Sequence, residues 1–237
     1  MTRKTEPGQD GAETGAAGGK PAAPRAADRI RKTARELFYR AGIRAVGVEE
    51  IVTRAGVTKP SLYRSFPSKD ELAAAYLRDY STDFWQWFRA DLDRAGSDDP
   101  RARLLAYFER MGKRASAGGY RGCGLTNAAI EYPEADHPAR LVAQDHKAEL
   151  RGVLRQMAAA MGARDPDQLG DALMLLIEGS FVTGQLFGEA GPAQAALQAA
   201  TMLIDAATGT DAGMDAGAAG SPTAKPKKKK KKKQKAD

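Results

Sequence analysis

Cysteine is almost missing. Cys123 is the only one among 237 residues, which rules out an intramolecular disulfide and suits a reducing compartment. Histidine is nearly as scarce, with His137 and His146 alone, and their spacing from Cys123 and Glu131 matches no compact zinc site. A phosphate-binding Gly loop, a His-Glu-x-x-His pair and a Gly-x-Ser-x-Gly elbow are all absent, as is a strand pattern for a cofactor fold. No enzyme, no metal and no cofactor is therefore expected. No apolar run reaches membrane-spanning length and the N-terminus carries no apolar signal region, so a soluble, cytoplasmic protein without a membrane partner is expected. Runs of β-branched residues are scarce as well, whereas Ala and Gly abound, and that imbalance favours helices.

What is present is charge, unevenly spread. The net +7 divides into +1 over residues 1–27, +4 over 28–75, −6 over 76–224 and +8 over 225–237, the last from nine Lys against one Asp. A basic head and tail flank an acidic body, a polarity that suits contact with nucleic acid at one end.

The stretch Val48 to Leu72 organises the rest. Val48, Ile51, Val52 and Ala55 give a short helix one apolar face, and Gly56 ends it by supplying a positive φ. Thr58 is expected to cap a second helix with its hydroxyl, with Lys59 and Pro60 in the first turn. Leu62 and Phe66, four apart, bury one face and leave Lys59, Ser61, Tyr63 and Arg64 outward. Two short helices joined by a tight Gly turn describe a helix-turn-helix with its reading helix.

Ala-Gly-Val-Thr-Lys-Pro-Ser-Leu-Tyr-Arg-Ser-Phe-Pro-Ser-Lys-Asp-Glu-Leu, within a fixed spacing from Ile30 to Leu72, resembles the signature of the TetR family of bacterial transcriptional regulators. One departure is Gly47, where the family usually caps the first of these helices with Thr or Ser; Gly is a tolerated cap. The resemblance implies an all-α fold: an N-terminal three-helix helix-turn-helix DNA-binding domain and a C-terminal helical ligand-binding and dimerisation domain of about six helices. The expected division is a disordered arm over 1–27, the DNA-binding domain over 28–75, the body over 76–207 and a disordered Lys-rich tail over 208–237.

The first helix is expected from Asp28, as N-cap, to about Ala41, with Ile30, Ala34, Leu37, Phe38 and Ala41 as its buried stripe. Arg29, Arg31, Lys32 and Arg35 surround it, and the resemblance places its start beside the phosphate backbone. Ser68-Lys69-Asp70-Glu71 is a capping box opening a long helix striped by Leu72, Tyr76, Tyr80, Phe84, Trp87, Phe88 and Leu92. Asp99-Pro100, His137-Pro138 and Asp165-Pro166 open later helices, a short one precedes Pro133, and Pro192 is expected to start the last. Small residues at Gly179, Gly184, Ala193, Ala196 and Ala200 would let helices approach closely. A monomer core could use that pattern equally; the resemblance implies a homodimer interface instead.

On double-stranded DNA, Lys59, Ser61 and Arg64 are expected to reach base edges. Thr58, Tyr63 and Lys69 would hold phosphates, Pro60 would lie beside them in the same turn, and Thr53 would be peripheral. For an unknown small-molecule effector, the apolar raw material is Phe84, Trp87, Phe88, Tyr107, Phe108, Met111, Tyr132 and Met157, with Asn127, Glu131, His146 and Gln185 as polar partners. The Gly-Cys-Gly-Leu setting of Cys123 resembles the Gly-Cys-Leu stretch of some electrophile-sensing relatives, with the second Gly as a departure. A sensor thiol would be activated by Arg121 and a helix N-terminus, whereas the other reading of Cys123 is a small buried hydrophobe. The expected activity is therefore a ligand-released repressor, with a thiol-sensing repressor and a sequence-tolerant, nucleoid-type DNA coat as alternatives.

Overall fold

The computed structural model describes residues 25–209, so the N-terminal arm up to 24 and the Lys-rich tail lie outside the described residues. Among the described residues the regular structure is helical: α1 (Ala26–Ala41), α2 (Val48–Ala55), α3 (Lys59–Ser65), α4 (Lys69–Asp93), α5 (Pro100–Ala115), α6 (Gly124–Glu131), α7 (Pro138–Ala160), α8 (Pro166–Phe187) and α9 (Ala196–Thr208). None of these helices is long and apolar enough to cross a membrane.

Start signals in the sequence are used nearly as written. The Ser68 hydroxyl accepts from the Glu71 backbone N–H, the Asp99 carboxylate from Ala102 N–H and Asp165 from Gln168 N–H, each followed by an acidic first turn or by Pro. His137 caps α7 through its ring nitrogen, ahead of Pro138. Three expectations need correction. Helix α1 begins at Ala26 with Arg25 at the cap position, and Asp28 instead sits in the first turn, accepting from the Arg25 guanidinium at 3.3 Å. Thr58 holds the cap position of α3 with extended backbone, but its hydroxyl accepts no backbone N–H. Pro192 starts only a 3-10 turn, Pro192–Ala195, which follows another at Gly188–Ala190 before α9 begins.

Helices α1–α3 form the head, and α4 carries the chain out of it. Residues 72–77 of α4 are buried on every side, and α4 packs against α1 of the head and against α6 and α7 of the body. The buried side chains form one continuous cluster from Ile30 in α1 to Ile204 in α9. The body wraps α4 with α5 and α7, and α8 packs along α7. That pairing is stapled at the surface, where Asp171 of α8 accepts from both Arg151 and Arg155 of α7. The two guanidiniums hold the Asp171 carboxyl below the ordinary carboxylate range.

Four of the five small residues assigned to close helix approach face inward. Ala193, Ala196 and Ala200 are buried, and Gly184 lies so close to α5 that an added Cβ would stand 2.5 Å from the Ala115 carbonyl oxygen. Only Gly179 faces open space. Large apolar residues cover the outer face instead: Leu175 of α8 is 74 % exposed and Leu186 69 %, joined by Val182, Phe187 and, on α9, Met202 and Leu203.

Candidate functional site

Helix α2 ends where Gly56 adopts the left-handed conformation (φ 62°, ψ 42°), and Val57 N–H closes back on the Val52 carbonyl at 3.0 Å. Thr58 then runs extended into α3. Leu62 is fully buried and Phe66 nearly so, which fixes α3 by one face. Thr53, Thr58, Lys59, Pro60, Tyr63 and Arg64 are exposed, and Ser61 is half-buried. The expected contact residues on α2, the turn and α3 are thus at least partly exposed, and Lys69 at the start of α4 is half-buried.

Several of those groups are already engaged. Lys59 pairs with Glu49 of α2 at 2.6 Å, a hydrogen bond that raises the lysine's pKa. One Arg64 nitrogen donates to the Ser61 hydroxyl at 3.1 Å, a contact that aligns the guanidinium along the helix. Lys69, expected to be free for phosphate, turns toward the α1–α2 loop and donates to the Arg44 carbonyl at 3.3 Å; partial burial lowers its pKa. The Thr58 hydroxyl, by contrast, makes no cap hydrogen bond among the described residues.

The head is tied to the body at three places. Arg31 and Arg35 of α1, expected as counter-charges for phosphate, pair with Asp79 and Asp83 of α4 at 3.7 and 2.5 Å. Glu131 at the end of α6 accepts from Arg44 N–H at 2.8 Å, while the Arg44 guanidinium donates to the Glu131 carbonyl at 3.0 Å. Tyr39 of α1 stacks on Tyr80 of α4, its hydroxyl donating to the Gly122 carbonyl at 3.3 Å and accepting from Arg121 N–H at 3.2 Å.

Behind the head lies a cavity of 520 Å³ between α1, α4, α5, α8 and the turn that follows α5. Of the residues proposed from sequence, Phe84, Trp87, Phe88 and Tyr107 line it. Met111, Cys123, Asn127 and His146 do not. Met111 is fully buried in the α5 core. His146 packs edge-on against Phe84, with Nδ1 2.8 Å from the Ser81 hydroxyl. Burial first, and the Lys147 charge second, push its pKa down to about 3. Asn127 donates to the Arg121 carbonyl and, with Glu131 and Gln185, borders a smaller hollow of 350 Å³ beside the α1–α2 loop.

Cys123 is buried at the cap position of α6. The cation that reaches its sulfur is Lys147, at 3.4 Å, rather than Arg121, which is exposed and engages Tyr39 through its backbone. Lys147 is also held by Glu178 at 2.6 Å. Phe108 and Tyr132 are buried structural rings, the latter stacked on His137 at 3.7 Å, and Met157 packs against the core.

The sequence reading missed the cavity's head-side wall: Tyr39 and Arg40 of α1, with Tyr76 and Tyr80 just inside α4. The signal was available. Tyr39 stands off the buried stripe Ile30, Ala34, Leu37 and Phe38, and an aromatic off the stripe of an amphipathic helix has a second neighbour to meet. Tyr120, Arg114 and Phe181 also line the cavity, and nothing in their local spacing distinguishes them from core or surface.

A glycine-pinned pair of short helices, the second held by one buried face and bare on the other, makes this a helix-turn-helix DNA-binding regulator. Residues 30–76 match the bacterial regulatory proteins, tetR family. The transcriptional regulator AcuR of Cereibacter sphaeroides is 31 % identical over 187 residues, 71 % of this chain and 80 % of AcuR. The solved structure of sav143 from Streptomyces avermitilis is 35 % identical, covers 78 % of this chain and 98 % of its own, and superposes with a TM-score of 0.68. SCO4454 of Streptomyces coelicolor, a TetR-family transcriptional regulator, is 28 % identical with a TM-score of 0.70, over 77 % of this chain and 96 % of that one. The chain belongs to the TetR family of bacterial transcriptional regulators.

Proposed function

We propose that this regulator is a repressor that grips a palindromic operator as a homodimer and lets go when a small molecule fills the aromatic cavity. The single observation that carries the reading is that α1 serves both ends: it packs against α2 and α3 and supplies Tyr39 and Arg40 to the cavity wall. A ligand touching that wall pushes on the same helix that positions α3. Ligand binding shifts an equilibrium only by its differential affinity for two arrangements, and a shared helix supplies that difference directly.

On the operator, Lys59, Ser61 and Arg64 read base edges once Lys59 leaves Glu49. Thr58, Tyr63 and Lys69 hold phosphates, Pro60 stiffens the first turn of α3, and Thr53 sits at the periphery. The outer apolar face of α8 and α9, with Leu175, Val182, Leu186 and Met202, pairs with its equivalent in a second subunit. Two heads joined this way span two half-sites. The burial of Cys123 weighs against a freely accessible electrophile-sensing thiol. Kinship with transcriptional regulators weighs against a DNA coat.

The test begins with selection of bound fragments from random DNA, followed by titration of candidate effectors against the recovered site. A palindromic footprint released by a ligand supports the reading. Uniform protection of unrelated DNA, or tight ligand binding that leaves operator affinity unchanged, rejects it.

A further inference from the structure

The charges that line the 520 Å³ cavity are unbalanced. Three guanidiniums border it, those of Arg35, Arg40 and Arg114, against one carboxylate, that of Glu36. Arg35 is answered from outside the lining by Asp83 at 2.5 Å. Arg40 and Glu36 are exposed, so water screens both. Arg114 is half-buried, and the carboxylate it meets is shared. Asp91, 5 % exposed, accepts from Arg114 Nη1 at 2.5 Å and lies 3.7 Å from Arg110 and 3.9 Å from Arg94. One buried negative charge thus meets three positive ones. The other carboxylates of α5 and of the last turn of α4 are taken, Glu109 by Lys113 and Asp93 by Arg103. A surplus of positive charge is left beside the cavity.

Arg114 also has donors to spare. A guanidinium carries five N–H groups, and the bond to Asp91 is the one hydrogen bond this side chain makes among the described residues. Tyr120, just after α5, lines the same cavity, and its hydroxyl makes no hydrogen bond among the described residues. Burial raises the pKa of that phenol, so it remains a donor at neutral pH, while the nearby Arg114 charge acts in the opposite sense. The donors therefore come from the end of α5 and the turn behind it. Most of the rings come from α4: Tyr80, Phe84, Trp87 and Phe88. Ring faces repel an anion but offer contact area to a flat apolar body.

We infer that the cavity takes aromatic carboxylates, flat monoanions whose ring lies against the α4 aromatics and whose carboxylate pairs with Arg114 and the Tyr120 hydroxyl. The inference rests on the effector reading given above and names its ligand class. A carboxylate presents two acceptor oxygens to the guanidinium fork, a geometry that suits paired, charge-assisted hydrogen bonds. Burying that charge without such a partner would be costly, so the surplus at Arg114 decides the class. The volume falls within the range that holds drug-sized ligands.

Three probes on one scaffold separate the chemistry by calorimetric titration of the full chain: 2-naphthoate, 2-acetylnaphthalene and 2-naphthylmethylammonium. Naphthoate is expected to bind several-fold more tightly than the ketone and about tenfold or more tighter than the ammonium. Arg114→Gln should weaken naphthoate about tenfold or more, as loss of a charge-assisted pair does, and the ketone far less. Arg94 and Arg110 stay beside Asp91 in that variant, so no buried charge is stranded. Tyr120→Phe, which removes a single oxygen, guards against loss of fold and should weaken naphthoate by a smaller factor. Both variants keep the Lys-rich tail, so anion binding to the tail would survive them. Equal or tighter binding of the ketone or the ammonium overturns the inference. So do naphthoate affinity unmoved by Arg114→Gln and absence of naphthoate binding at millimolar concentration. Release of the selected operator, measured in parallel, separates the two claims. Arg114-dependent naphthoate binding that leaves DNA bound keeps the ligand class and rejects the regulatory reading. Release by the ketone or the ammonium alone keeps the regulatory reading and rejects the class.

Discussion

At the scale of single residues, exposure and existing partners decide what each side chain can do. Arg64 is exposed and lightly held by Ser61, and a guanidinium is the best guanine reader by geometry. Arg64→Ala should cost about 1–3 kcal/mol on the operator and narrow the gap to a scrambled duplex. Lys69→Ala should instead weaken both duplexes alike, and competition binding on the two distinguishes the cases. His146 gives a second prediction, of stability rather than binding. Its imidazole is buried, one ring nitrogen lacks a partner, and its pKa of about 3 lies below the ordinary 6.5. The unfolded chain therefore takes up a proton between those values while the folded one does not, so stability falls as pH drops through that window. The loss is roughly 1.4 kcal/mol per pH unit at most. Melting temperatures from pH 7 to 4.5 should fall less steeply in His146→Gln than in the parent; identical slopes would remove His146 from the account.

At the scale of elements, the helices were legible and their company was not. Caps at Ser68, Asp99 and Asp165 and the stops at Gly42 and Gly56 are local chemistry, and they fall where the sequence places them. The candidate cavity was half legible for the same reason. Phe84, Trp87, Phe88 and Tyr107 announce themselves as aromatics on apolar stripes, whereas Tyr39 and Arg114 become wall residues only through the crossing of α1, α4 and α5. Small residues illustrate the ambiguity best. Spacing alone left Gly184 and Ala196 open between interface and core, and packing on α5 takes them into the core. Gly184→Ala should therefore destabilise the subunit by about 1–3 kcal/mol, because the Ala115 carbonyl at 2.5 Å is backbone and cannot swing aside. Leu186→Glu, on the outer face of the same helix, should leave the subunit folded and shift sedimentation toward a single subunit, with operator affinity lost in proportion. A variant that stays dimeric would place the interface elsewhere.

At the scale of the whole molecule, the split of charge sets how the protein meets DNA. Residues 28–75 carry a net +4 and residues 225–237 a net +8, against a body of −6. Each phosphate neutralised releases a condensed counterion and adds about 0.9 to the steepness of affinity against salt. Deleting residues 225–237 should flatten that dependence by several such steps while leaving the ratio of operator to non-specific affinity intact. An unchanged slope would exclude the tail from DNA contact.

The placement of Tyr39 and Arg40 bears on how such a protein can be re-engineered or recombined. A graft that exchanges residues up to 75 for another relative's head, to retarget DNA binding, carries one side of the cavity with it. The hybrid would inherit a chamber assembled from two lineages, with altered chemical tastes as an unintended by-product. Retargeting that spares α1 and swaps only the exposed positions of α3 avoids the problem. Under the proposed function, DNA choice and ligand choice would be separable by point substitution but not by cassette.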